Sequence, residues 1–213
     1  MRSGRFITLE GGEGTGKSTQ VARLAERLRA AGREVVATRE PGGSPGAEGI
    51  RRLLVEGPPA RWSAQSETLL MYAARRDHIE RTISPALERG ACVVCDRFLD
   101  STRAYQGAGG GAATSLIAAL EREVVGDLMP DLTLVLDLPV AVGLRRAGGR
   151  AGGERRFEAK GTAFHERLRQ AFLDIAVAEP ARCVVIDATA GLDEVEAAIW
   201  RAVETRLEES LRD

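Results

Sequence analysis

Five short apolar runs divide this chain, at residues 5–10, 34–39, 91–96, 132–137 and 182–187. Each is nearly continuous, rich in β-branched or aliphatic side chains, and ends in a charged residue. That is the pattern of a strand buried on both faces. Between the runs, apolar residues recur at helical spacing. Residues 18–31 place Val21, Leu24, Ala25 and Leu28 on one face, and Gly32 ends the helix. Ser44-Pro45 reads as an N-cap followed by proline at the first helical position, opening a helix through Val55. A longer helical stretch covers residues 66–88, with a bend expected at Pro85. Residues 114–125, 140–147, 162–178 and 192–208 follow the same logic. Strand and helix alternating throughout predict a parallel five-stranded sheet covered on both faces, an α/β three-layer α/β/α sandwich. No repeat, long linker or second core interrupts it, so residues 1–213 read as one domain.

Composition fits that picture. Apolar residues make up 44% of the 213, enough for a large core, and 30 basic residues against 31 acidic ones leave a net charge of −1. No global field then favours nucleic acid or a membrane surface. Cys92 and Cys95 lie three apart on one strand and point to opposite faces, so they neither pair nor share a metal. Buried thiols in a reducing compartment are the expectation. The chain passes from Met1 almost directly into a strand, without a signal-peptide pattern or a membrane-length apolar run, and a cytoplasmic protein is expected.

Candidate chemistry begins after the first strand, at Gly11-Gly12-Glu13-Gly14-Thr15-Gly16-Lys17-Ser18, followed by Thr19. This is a phosphate-binding loop in its required place between strand and helix. Backbone N–H groups cradle polyphosphate oxygens, Lys17 reaches the β- and γ-phosphates, and the Ser18 hydroxyl holds Mg²⁺. A glycine-rich turn of no chemical meaning has no reason to end in Lys-Ser at a helix start. Two further strand ends carry charge: Thr38-Arg39-Glu40-Pro41-Gly42-Gly43 and Asp96-Arg97-Phe98. Asp96 is placed to join Ser18 at the metal, and Arg39 and Arg97 to fork onto a second phosphate. Either arginine alone could be a structural ion pair. Asp137 competes with Asp96 for the metal, but Leu138-Pro139 after it favours a cap or sheet-end role. Finally, eight basic residues crowd residues 145–169 among five glycines. A solvated loop is one reading. Beside a triphosphate site, a lid over about residues 148–161 that brings arginines to phosphate is the better one.

Together these motifs resemble bacterial thymidylate kinases, within the P-loop nucleoside monophosphate kinases. The residues that carry the likeness are Glu10 to Ser18, Thr38 to Gly43 with Gly46, Glu48 and Arg51, Tyr72-Ala-Ala-Arg75, and Pro85 to Gly90. Asp96-Arg97-Phe98, Ser101 to Gly107, Pro130 to Asp137, the arginine-rich lid and Ile186-Asp187-Ala188-Thr189 complete it. The resemblance implies transfer of the ATP γ-phosphoryl group to dTMP, with Mg²⁺, by a homodimer. It also implies roles. Glu13 would accept from the deoxyribose 3′-hydroxyl, Arg39 and Arg97 would bind the acceptor phosphate, and Arg75 would donate to the pyrimidine edge near Thr102 and Gln106. Tyr105 would pack against the sugar where a ribose 2′-hydroxyl would crowd it, and Arg146 would lie over adenine. Lid charge would come from Arg150 and one or both of Arg155 and Arg156, acting with Lys17 and Arg97 in catalysis.

Three departures from the family pattern stand out. Met71 replaces the ring that usually stacks on the base, leaving Met71 or Tyr72 to cover it. The lid reads Arg155-Arg156-Phe157-Glu158 in place of Asp-Arg-aromatic-Glu, and Asp-Arg-Tyr is Asp96-Arg97-Phe98. A deoxynucleoside kinase using Glu40 as base on a 5′-hydroxyl, and a nucleotide-binding regulator without turnover, are the alternatives. A GTPase switch lacks its Asn-Lys-x-Asp motif here.

Overall fold

The computed structural model describes residues 4–148 and 155–211. Its sheet is five-stranded and all parallel, in the order β2-β3-β1-β4-β5. The strands are β1 (Phe6–Glu10), β2 (Val35–Arg39), β3 (Cys92–Asp96), β4 (Leu132–Asp137) and β5 (Cys183–Asp187). Each expected strand is present with its last residue as expected. The helices are α1 (Lys17–Ala30), α2 (Pro45–Val55), α3 (Ala64–His78), α4 (Ser84–Glu88), α5 (Leu99–Thr102), α6 (Thr114–Leu120), α7 (Val140–Gly148), α8 (Arg155–Glu158), α9 (Thr162–Ala178) and α10 (Leu192–Leu211).

Alternation along β1 decides which helix covers which face. Ile7 and Leu9 point to α1 and α10, where Val21, Leu24 and Leu28 meet Val195, Ile199 and Val203. Phe6 points the other way, onto Ile83, Leu87 and Phe98. On that second face Val135 of β4 packs against Leu168 and Phe172 of α9. Cys92 joins the first cluster and Cys95 the second, as expected for positions three apart on a strand. Burying these side chains supplies the main driving force for the three-layer arrangement.

Four local differences from the sequence expectations have physical reasons. The 66–88 stretch is helical throughout, but α3 passes into α4 through a π-helical turn at Ile79–Ile83. The Ser84 N–H bonds Ile79 O there, a wider turn that absorbs Pro85, which has no N–H to give. The 114–125 helix likewise ends as a π-helical turn, Glu121–Val125. A helix with no forecast, α5, runs on as a π-helical stretch over Arg103–Gly109, where glycines hide the apolar spacing. Ser44 does hold the N-cap position of α2, but its hydroxyl does not cap. It donates instead to Asp77 Oδ2 at 2.6 Å, and that oxygen accepts the Gly46 and Ala47 N–H groups at 3.1 and 3.2 Å. The capping carboxylate comes from α3.

Candidate active site

Parallel register brings three charged strand ends to one edge: Arg39 stands beside Asp96, and Asp96 beside Leu9, the residue before Glu10. Open α/β sheets bind ligands at that carboxyl edge. A cavity of about 440 Å³ opens there, reaching from Lys17 and Ser18 at one end to Arg75 and Gln106 at the other. That volume is within the range of small-molecule sites.

The loop between β1 and α1 forms one end. Gly14 has φ 70°, and a Cβ there would stand 2.0 Å from Gly143 O, so α7 approaches the loop closely only because position 14 is glycine. Lys17 Nζ donates to Gly12 O at 2.7 Å and Gly11 O at 3.2 Å. Burial, with Arg97 nearby, pushes the Lys17 ammonium down to about 8. Ser18 Oγ donates to Asp96 Oδ2 at 2.5 Å, so the two expected metal ligands meet. Asp137 does not join them: Arg169 grips it with two bonds of 2.7 and 2.9 Å.

Arg97 sits at the middle of the cavity with φ 71°, the single positive φ outside glycine among the described residues. Its Nη1 donates to Gly11 O (2.9 Å) and Ser101 Oγ (3.1 Å), and its Nη2 to Glu13 Oε1 (3.3 Å). The same Glu13 oxygen accepts the Tyr105 hydroxyl at 2.6 Å, and the Arg97 guanidinium lies 4.8 Å from the Tyr105 ring centre. Burial alone would raise the Glu13 carboxyl, but Arg97 and Lys17 hold it below the usual range. Behind Arg97, Glu10 accepts the Phe98 N–H at 2.7 Å and the Ser101 hydroxyl at 2.6 Å. These bonds fix the turn that carries Arg97. Arg39, at the rim, is held by both oxygens of Glu48, at 3.1 and 3.2 Å.

At the far end Arg75 is only 2% exposed. It donates to Glu40 Oε2 at 2.8 Å, and to Phe98 O and Thr102 Oγ1 at 3.0 Å each. Its Nη1 has no hydrogen-bond partner among the described residues, nor does Gln106 Oε1. Glu40 also meets His78 Nδ1 at 3.0 Å. A carboxylate so engaged and buried is not free to take a proton from a 5′-hydroxyl, which removes the support for Glu40 as a base.

Residues 9–199 match the sequence profile of a family described as thymidylate kinase. The chain belongs to the thymidylate kinase family. Its activity is that of a thymidylate kinase. Among its relatives, the thymidylate kinase of Caulobacter vibrioides is 67% identical over 207 residues, covering 97% of this chain and 99% of that protein. The thymidylate kinase of Nitrobacter hamburgensis is 55% identical over 206 residues, covering 96% and 90%. In structure, the chain is similar to a crystal structure of thymidylate kinase from Ehrlichia chaffeensis, with a TM-score of 0.78 and 35% identity. That likeness covers 94% of this chain and 99% of the other.

Membership sharpens where each expected residue of a thymidylate kinase lies. Met71 lines the cavity, whereas Tyr72 is buried behind Arg75, with its ring 4.7 Å from that guanidinium and its hydroxyl on Glu121 at 3.3 Å. Thr102, Tyr105 and Gln106 line the cavity too. Arg146 is exposed on α7 and donates to Ala188 O at 3.3 Å, beyond the end of β5. Arg156, one of the two residues expected with Arg150 to supply lid charge, does not line the cavity. Its guanidinium is buried in a socket of carbonyls, Leu54 O at 2.9 Å, Pro59 O at 3.2 Å and Pro58 O at 3.3 Å, and it pairs with Glu67 at 2.5 Å. Carbonyls and a carboxylate outcompete water for a guanidinium, which presents five donors in a fork. Arg150 lies outside the described residues, as does the side chain of Arg155. The sequence motifs include Glu10, Ser101 and Phe157 but gave them no role in the site, and Glu67 was not singled out at all. Of these, Glu67 was within reach, because Glu67, Met71 and Arg75 recur at four-residue spacing on one face of α3.

Proposed function

We propose that this chain transfers the γ-phosphoryl group of Mg²⁺-bound ATP to dTMP, giving ADP and dTDP. The observation that supports it best is the sharing of Glu13. This carboxylate belongs to the phosphate loop yet is bonded by Arg97 and Tyr105 of the acceptor side. One cavity therefore joins a donor end and an acceptor end. An oxygen of the dTMP phosphate attacks the γ-phosphorus, the bond to the β–γ bridging oxygen breaks, and ADP departs with that electron pair. The attacking phosphate is already an anion, so no general base is needed, and catalysis is in-line positioning plus charge neutralisation.

In this reading the phosphate-loop N–H groups and Lys17 hold the β- and γ-phosphates, and Arg97 and Arg39 hold the acceptor phosphate. Arg75 donates to the pyrimidine edge, Met71 covers the base, and Tyr105 and Glu13 flank the sugar. Arg146 lies over adenine. Ser18 and Asp96 would hold Mg²⁺, which neutralises charge on the transferred group. One carboxylate and one hydroxyl suit a cation that takes its remaining ligands from phosphate and water, and no group of three or more His, Cys, Asp or Glu side chains stands ready among the described residues. A cytoplasmic homodimer completes the proposal, and no helix among the described residues is long and apolar enough to cross a membrane. The test is an ADP-release assay with Mg-ATP and dTMP, dUMP, UMP, CMP, AMP and GMP in parallel. The expected best acceptor is dTMP, and any other best acceptor overturns the substrate assignment.

A further inference from the structure

Gln106 and Glu67 are both almost fully buried, at 1% and 3% exposed, and Gln106 Nε2 donates to Glu67 Oε1 at 2.8 Å. An ionised carboxylate only accepts hydrogen bonds. An amide placed against it therefore turns its NH₂ toward the carboxylate and its oxygen away. Glu67 is itself held by the short pair to Arg156, which is anchored to three carbonyls, so its orientation is fixed as well. The result is a Gln106 amide that cannot flip without placing oxygen against oxygen.

The freed oxygen has a consequence at the cavity. Gln106 Oε1 is a buried acceptor without a partner, and Arg75 Nη1 is a buried donor without one. Both residues line the cavity. Groups left in this state are costly unless a ligand satisfies them. Together they offer one donor and one acceptor, a pattern met by a base edge that carries a carbonyl beside a ring N–H. Thymine and uracil carry that edge. Cytosine carries the reverse, an exocyclic NH₂ beside a bare ring nitrogen.

We infer that Glu67 is a specificity-determining residue: it locks the Gln106 amide so that the site accepts a keto-pyrimidine edge and rejects an amino-pyrimidine edge, and Arg156 of the lid segment locks Glu67 in turn. The inference rests on dTMP being the acceptor and names the residues that choose its base. Glu67 touches no reacting group and acts through Gln106.

The test compares kcat/KM for dTMP, dUMP and dCMP with Mg-ATP saturating, in the wild-type enzyme, Glu67→Gln, Gln106→Ala and the double variant. A glutamine at position 67 can donate as well as accept, so the Gln106 amide is free to turn over. Losing one oriented hydrogen bond in a buried polar site is expected to lower the dTMP-to-dCMP ratio about tenfold in Glu67→Gln. The dTMP-to-dUMP ratio and the KM for ATP should not move, because both keto bases share the same edge. In the Gln106→Ala background, Glu67→Gln should not lower the dTMP-to-dCMP ratio any further. An unchanged ratio in Glu67→Gln overturns the inference, and so does a full additional loss in the double variant. If Glu67→Gln fails to fold, Arg156→Lys is read in the same way. It loosens Glu67, and a fall in the dTMP-to-dCMP ratio of about threefold supports the lock, while an unchanged ratio overturns it. Wild-type enzyme that does not prefer dTMP defeats the substrate assignment instead, and that result is read before any variant is compared.

Discussion

Raising the pH should weaken ATP binding through one group, Lys17. Its ammonium is buried against Gly12 O and lies near Arg97, which together hold it at about 8 against the ordinary 10.5. That difference corresponds to about 3 kcal/mol disfavouring the charged form in the free enzyme. Polyphosphate supplies the missing negative charge, so ATP binds the protonated form and returns the proton affinity toward its usual range. The sign follows. Binding is at full strength below about pH 8 and is lost as pH rises through it, with Kd increasing about tenfold per pH unit beyond.

Between about pH 7.5 and pH 9.5 the protonated fraction falls by a factor of about 25, and Kd for ATP should rise by the same factor. Equilibrium titration with ATP over that range gives the number directly, since it begins above the ionisation of the nucleotide's own phosphate near pH 6. The kcat at saturating ATP should stay flat over the same range, because the bound phosphate keeps the proton on Lys17. Lys17→Arg is the control: a guanidinium does not titrate there, so its ATP affinity should lack the alkaline fall even as turnover drops. A wild-type Kd that changes less than about threefold across the range refutes the reasoning.

Three other outcomes are expected. Arg97→Ala should raise the KM for dTMP at least tenfold while changing ATP affinity far less, and equal losses for both nucleotides would remove Arg97 from the acceptor phosphate. Burial, and next the charge of Asp100, push Glu10 up to about 7, so the folded chain keeps a proton that the unfolded chain sheds near 4.5. Its contribution to stability is lost as pH rises toward and through 7; Glu10→Gln should gain about 2 kcal/mol on wild type between about pH 5 and pH 8 in urea unfolding, and a constant difference contradicts this. Asp77→Ala, which removes the capping carboxylate of α2, should cost about 1–2 kcal/mol by the same method, and a loss below about 0.3 kcal/mol would show the cap to be idle.

Strand ends were legible in the sequence because a strand of a parallel sheet is apolar on both faces and stops where the chain meets polar solvent. Arg39, Asp96 and Asp137 each mark such a stop. The phosphate loop was legible for a similar reason, since its residues are neighbours in the chain and their backbone geometry is local. What the sequence hid depends on distant partners. Nothing near Ser44 indicates that its cap arrives from Asp77, 33 residues on. Nothing in Arg155-Arg156-Phe157-Glu158 says that Arg156 turns inward to a carbonyl socket, because charge density carries no direction. That Met71 and not Tyr72 lines the cavity depends on the phase of α3, which buries Tyr72 in one cluster with Phe6 and Phe98. The helical run from Leu99 to Gly109 was concealed by its own glycines, although it carries Ser101, Thr102, Tyr105 and Gln106 to the cavity.

Charge balance at the centre of the cavity argues for how the two substrates meet. Lys17 and Arg97 supply two positive charges, and Glu13 and Asp96 supply two negative ones. With Arg39, Arg51 and Arg75 set against Glu40 and Glu158 elsewhere in the lining, the whole cavity carries a single net positive charge, so two phosphate-bearing anions are better accommodated with cation brought in beside them. That is what Mg²⁺ arriving on ATP would provide, at the Ser18–Asp96 end. Glu13 then has a purpose that an anion site alone does not explain. Bonded to Arg97 and Tyr105, it neutralises Arg97, the arginine proposed for the acceptor phosphate, which its own bond to Gly11 O ties to the phosphate loop. Arg97 is thus kept in place by protein groups that a phosphate can replace. A preorganised donor of this kind loses little order when the acceptor binds, which is the economical way to align two anions for in-line transfer.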